Sequence, residues 1–154
     1  MVGYSMPNLA HTVAQSQAMN SGSGGLFYAA LAAGQKRRLW SGLTGRRHGL
    51  RSLAQQDLGG RSARHAGRKF VAIADIRGSE GRTNDFDDEF NPLNGQTRQR
   101  WQSVAQALDE GLRLPPVELI QVGQAYYVRD GHHRISVLRA LGQDVIEAEV
   151  TQWN

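Results

Sequence analysis

Between Val117 and Val150 the glycines fall where strands and helices must turn, and this punctuation constrains the chain more than any other feature. Val117 to Val122 and Ala125 to Arg129 read as two strands separated by Gly123-Gln124, the Gly-X pair that a type II′ hairpin turn prefers. Asp130-Gly131 then leads into Ile135, Leu138 and Leu141, a helical stripe closed by Gly142. Val145 to Val150 sets Val, Glu and Glu against Ile, Ala and Val, the alternation of a strand with one wet face. A hairpin, a helix and a returning strand are the expected result.

Upstream, Phe70 to Ile76 is a short strand-like run, and Arg77 to Gly95 reads as a long structured loop with an acidic cluster. Trp101, Val104, Ala105, Leu108 and Leu112 form one apolar helical stripe, with Thr97 or Asn94 as its cap and Pro115-Pro116 as its stop. The order is β-α-β-β-α-β, an α/β (α+β) body over residues 68–154. Before it, residues 1–67 read as a basic, partly helical arm. Asn8 caps an expected short helix through Met19, Ser21 to Gly25 is a flexible break, and Leu26 to Leu43 is a second helix ended by Thr44-Gly45. Gly59 to Gly67, rich in Gly, Arg and Ser, is expected to be the loop that separates arm from body.

Charge sharpens this division. The net charge is +4, yet residues 1–69 carry ten Lys or Arg and a single acid, Asp57, whereas residues 70–154 carry eight Arg and thirteen Asp or Glu. Such an arm can meet a phosphate backbone or anionic lipid, or fold back on the acidic half. With only Trp40 interleaved among its basic residues, stacking on single strands has little support. The absence of cysteine removes disulfides, thiolate metal sites and thiol nucleophiles. No run of 18 apolar residues and no signal-peptide pattern is present, so the expectation is a cytoplasmic protein without a membrane partner.

Chemistry concentrates in Tyr127-Val128-Arg129-Asp130-Gly131-His132-His133-Arg134. A strand ends, Gly131 permits a tight turn, and the first amides of the next helix have no intrahelical acceptor. Together with the helix dipole they make an anion site, to which His132, His133 and Arg134 add donors. Asp130 can cap the helix or orient an imidazole. The simpler alternative has Asp130 as cap, the histidines solvated and Arg134 paired with Glu147 or Glu149. Adjacent helical histidines point about 100° apart, so no metal site is assigned to them. Glu80, flanked by glycines in Gly78-Ser79-Glu80-Gly81-Arg82, can accept a hydroxyl proton near a phosphate, or simply pair with Arg82. Asp85, Asp87, Asp88 and Glu89 can share a Mg²⁺ with nucleotide phosphates, although a solvated turn that offsets the basic arm is the reading preferred.

Leu114 to Val150, with its D-G-H-H-R turn and following Ala140-Leu141-Gly142, resembles the ParB/sulfiredoxin superfamily, in particular ParB-like nuclease-domain proteins. The resemblance continues upstream through Gly78 to Arg82, Asp85-Phe86-Asp87 and Arg100-Trp101, and spans roughly residues 70–152. It implies that Gly131, His132, His133 and Arg134, with Ser79 and Arg82, contact a nucleotide, since relatives bind ATP, ADP or CTP at this turn. Sulfiredoxins place a catalytic cysteine at the position of His132, so sulfinic acid repair is excluded here. Partition proteins carry Gly-Glu-Arg-Arg at the turn, from which His132 and His133 depart. The free-serine kinases of the superfamily are closer, and their base corresponds to Glu80. The resemblance therefore implies phosphate cleavage or transfer with Glu80, Asp130 and His132 as catalytic residues and Mg²⁺ carried by the nucleotide. The competing function is a non-catalytic nucleic-acid-associated module that engages DNA through the arm.

Overall fold

The computed structural model describes residues 22–154, so the helix expected from Asn8 to Met19 lies outside the described residues. The fold is mixed α/β. Helix α1 (Ser23–Thr44) is followed by a two-residue strand β1 (Arg51–Ser52) and a 3₁₀ turn over Leu53–Gln55. Strand β2 (Ala63–Ala72) leads through a second 3₁₀ turn to β3 (Ile76–Ser79). After a long loop come α2 (Arg98–Asp109), β4 (Val117–Val122), β5 (Ala125–Asp130), α3 (His132–Ala140) and β6 (Val145–Trp153). The six strands form one sheet in the order β1-β3-β5-β4-β6-β2.

The expected hairpin, helix and returning strand are all present. Gly123 takes φ 61° in the β4–β5 turn and Gly142 takes φ 80° just past α3. Along β6 the residues Ile146, Ala148 and Val150 are buried while Glu147 and Glu149 face outward, as the alternation requires. β6 runs parallel to β4 and antiparallel to β2.

Several expectations need correction. Ala63 to Gly67 is not a loop but the first half of β2, paired to β6 from Ala63–Trp153 onward. Its side chains are exposed or half-buried, so backbone pairing rather than an apolar pattern makes it a strand. The boundary placed near Gly67 therefore falls inside a strand. The run Phe70 to Ile76 divides at the Ile73–Asp75 turn between β2 and β3, which lie on opposite sides of the β5–β4–β6 centre. Lastly, Ser23 to Gly25 begin α1 instead of breaking the chain, and α2 stops at Asp109, leaving Leu112 outside the helix and exposed. Gly111, at φ 73°, turns the chain there.

Apolar side chains fill both faces of the sheet. Leu119 and Val128 join Val71, Ile76, Phe86, Ile135 and Val150 on one side; Ile120 and Tyr127 meet Leu53 on the other. Gly78 allows the second layer to close, because a Cβ there would lie 2.2 Å from the Arg51 carbonyl oxygen and 2.6 Å from the Tyr127 ring. The helices make a third cluster in which Phe27 of α1 meets Trp101 of α2 edge-on at 5.5 Å, both fully buried. The Trp101 indole N–H donates to Ser136 Oγ of α3 at 2.9 Å. Gly34 brings α1 against the loop, where a Cβ would stand 2.5 Å from the Pro92 carbonyl oxygen.

The second half of α1 is held by charge. Arg37 lies 3.1 Å from Asp87, 2.8 Å from Asp88 and 3.0 Å from Glu89. Asp87 is 2% exposed and accepts the backbone N–H groups of Glu89 and Asn91, so it is the buried anchor of the turn, while Asp88 and Glu89 stay exposed and offset Arg37 as the solvated-turn reading expects. Of the fates open to the basic arm, its described helix folds back on the acidic body.

Candidate functional site

Gly131 joins β5 to α3 with φ 104° and is buried; a Cβ would sit 2.5 Å from Val117 Cγ1. Only glycine accepts both that conformation and that proximity. Its carbonyl receives the first helical bond, from the Ile135 amide at 3.0 Å, and no side chain caps the helix. The preceding amides of α3 therefore lack an intrahelical acceptor. Asp130 is neither cap nor imidazole partner: its Oδ2 accepts from Arg134 at 2.5 Å.

His132 is 5% exposed, and its Nε2 lies 2.7 Å from Ser79 Oγ. That oxygen also accepts the amides of Gly81 at 3.2 Å and Arg82 at 2.9 Å. With both lone pairs engaged, the Ser79 hydroxyl proton goes to His132 Nε2 at 2.7 Å in preference to the Val128 carbonyl at 3.5 Å, which places the imidazole proton on Nδ1. Burial lowers the His132 pKa to about 4, helped by Arg82 and His133, so the ring is neutral at physiological pH as this assignment demands. Phe86 stacks on the ring at 6.1 Å and meets His133 edge-on at 5.3 Å. His133 is likewise lowered to about 4, by burial and then by Arg100 and Arg82. Neither histidine is solvated as the simpler sequence reading had it.

These groups surround a cavity of about 200 Å³ whose walls include Arg82, Arg100, Asp130, His132, His133 and Arg134. The three guanidiniums differ in their engagements. Arg82 pairs with Asp85 at 3.3 Å. Arg134, 14% exposed, donates to the carbonyls of Pro115 at 2.7 Å and Pro116 at 2.8 Å and pairs with Asp130, not with Glu147 or Glu149. It fastens the first turn of α3 to the start of β4, so replacing it would disturb the fold as well as any ligand. Arg100 has no carboxylate partner among the described residues, whose ion pairs do not include it.

Glu80 stands apart from this cavity. Its amide donates to the Val128 carbonyl at 2.9 Å, and its carboxylate takes Arg129 Nε at 3.2 Å. The turn thus brings together Ser79, Arg82, Asp130, Gly131, His132, His133 and Arg134 but leaves the Glu80 carboxylate outside. None of Asp85, Asp87, Asp88 and Glu89 lines the cavity, and among the described residues no group of three His, Asp or Glu is arranged to hold a metal ion. The sequence reading missed Arg100 as a site residue. Its signal was available, because Arg100 and Val104, which both wall the cavity, sit four apart on one face of α2.

No family model matches the chain, and no curated protein matches it. Among solved structures, the crystal structure of sulfiredoxin from Arabidopsis thaliana is similar at 20% sequence identity and a TM-score of 0.41, over 54% of this chain and 82% of that one.

Proposed function

We propose that the chain binds a phosphate-bearing ligand of nucleotide type in the cavity over the N-terminus of α3. One observation carries the reading: the open amides of α3 and the carboxylate-free Arg100 face the same small cavity. Gly131 supplies close backbone approach, and His132, locked by Ser79 with its proton on Nδ1, offers a neutral donor beside the ligand. His133 and Arg82 complete the wall, while Arg134 holds the turn in shape. A phosphotransfer or phosphate-cleaving step with Glu80 as base requires the Glu80–Arg129 pair to open first, so binding is the better-supported part of the function.

Calorimetric titration of the full chain and Arg100→Ala with ATP, ADP and CTP, each with Mg²⁺, tests this reading. Loss of one charge-assisted contact is worth about 1.5–3 kcal/mol, so affinity for the preferred nucleotide should fall at least roughly tenfold. Equal affinity in the two proteins, or no binding of any of the three, overturns the assignment. In the same samples Glu80→Gln should retain affinity, and turnover reduced by roughly 10² to 10⁴ would give Glu80 the role of base.

A further inference from the structure

A second cavity, of about 320 Å³, is walled by Arg37, Arg47, Arg51, Arg77 and Arg139 together with Asp88 and Glu89. Its arginines come from separate parts of the chain: Arg47 from the segment after α1, Arg51 from β1, Arg77 from β3 and Arg139 from the last turn of α3. Tertiary structure alone assembles them. β1 lies parallel to β3 with Arg51 opposite Gly78, and the missing Cβ of Gly78 lets the Arg51 backbone approach that closely.

The charges here do not balance. Asp88 and Glu89, the carboxylates in the wall, are already held by Arg37 at 2.8 and 3.0 Å. Arg47, Arg51 and Arg77 take part in no ion pair among the described residues, and Arg139 reaches only the exposed Asp144, at 3.8 Å. Five arginines thus line one concavity against two carboxylates, and three of them, Arg47, Arg51 and Arg77, have no ion-pair partner among the described residues. Like charges brought together in this way raise the local potential and favour a compensating anion.

We infer that this cavity is a second oxyanion site, taking a small polyanion with at least two phosphate groups. The lining guanidiniums come from separate segments of the chain, and a short phosphate chain offers oxygens to more of them at once than a single phosphate does. The cavity is concave and limited in volume, which suits a compact ligand better than a duplex. The shared chemistry is the linked phosphate chain, whether free or carried by a nucleotide. The site is separate from the α3 turn: no wall residue is common to the two cavities.

The experiment titrates the full chain at low salt with sodium tripolyphosphate and with orthophosphate, in an Arg100→Ala background that weakens the first site. Tripolyphosphate should bind at least tenfold more tightly than orthophosphate, and Arg51→Ala/Arg77→Ala should cost at least a further tenfold. ATP that competes with tripolyphosphate here would mark the nucleotide as a source of the chain; ATP that does not would mark the free polyanion. Since neither the Arg51 nor the Arg77 side chain has an ion-pair or hydrogen-bond partner among the described residues, the melting midpoint should hold within a few degrees. Arg47→Ala/Arg139→Ala draws on the other walls and decides the matter if the first pair fails to fold. Unchanged tripolyphosphate affinity in a folded pair overturns the inference, as does equal affinity for orthophosphate. A duplex oligonucleotide that binds through these arginines while tripolyphosphate does not would overturn it in favour of nucleic acid. Failure of Arg100→Ala to affect nucleotide binding would count against the first site alone.

Discussion

Acid should destabilise this protein well above the pH at which carboxylates ordinarily titrate, and His132 should account for much of the effect. In the folded chain its pKa is about 4, against 6.5 for a free imidazole, because the ring is buried and lies beside Arg82 and His133. The folded state therefore refuses a proton that the unfolded chain accepts. Between those two values the unfolded state binds more protons, so stability is complete above about pH 6.5 and drains away as the pH falls toward 4. A shift of this size corresponds to about 2 kcal/mol lost by pH 5 and about 3 kcal/mol near pH 4, a large fraction of a typical 5–15 kcal/mol total. His133 shifts in the same direction and adds to the loss, less than additively because each ring's charge would oppose the other's.

Urea unfolding at pH 7.5, 6.5, 5.5 and 5.0 measures this directly, since these values stay above the ordinary carboxylate range. The control is His132→Gln, whose side-chain oxygen can still accept from Ser79 Oγ without titrating. Wild type should lose stability steeply over this interval and the variant should lose distinctly less. Parallel curves for the two proteins would refute both the neutral buried imidazole and the proton assignment derived from Ser79.

Gly131→Ala should destabilise the fold by about 2–5 kcal/mol in the same urea assay, combining positive-φ strain with overpacking against Val117; a change under 1 kcal/mol would mean that the turn relaxes freely. Deleting residues 1–67 should leave a body without a cooperative thermal transition, because it removes Phe27 from its contact with Trp101 as well as β1 and half of β2. Loss of a buried Phe alone costs about 3–5 kcal/mol. A truncated protein that melts cooperatively near the full-length midpoint would show that residues 68–154 form a self-sufficient domain.

What could be read from the sequence was local. The Gly123 turn, the Gly131 junction, the Gly142 stop and the Trp101 stripe each depend on a few neighbouring residues whose backbone preferences act alone. What could not be read was long-range. Ser79 and His132 meet across 53 positions, and nothing in the composition near either names the other. Phe27 looked like one apolar residue of an isolated arm until Trp101 supplied its partner. The first half of β2 escaped because its exposed Arg and Gly residues carry no hydrophobic signal, its stability coming from the ladder to β6. Arg134 was correctly placed at the turn, yet its engagement with two proline carbonyls depends on where β4 begins.

The same distinction governs how the basic half of the chain can be used. Binding a duplex through a free arm requires its cations to lie along one exposed stripe, each available to a phosphate. Several are already committed: Arg37 holds Asp87, Asp88 and Glu89, Arg68 meets Glu147 and Glu149 across the β2–β6 ladder, and Arg64 donates to Gln152. These pairings bind the basic half to the acidic half and neutralise charge where elements join. Among the described residues Arg100 has no carboxylate partner and lines the cavity above α3, and Arg47, Arg51 and Arg77, likewise without one, line the cavity beside β1 and β3. The arginines of the α3 cavity all come from residues 70–154 and those of the second cavity from both halves, so the fold, and not the basic stretch itself, assembles each concentration of charge.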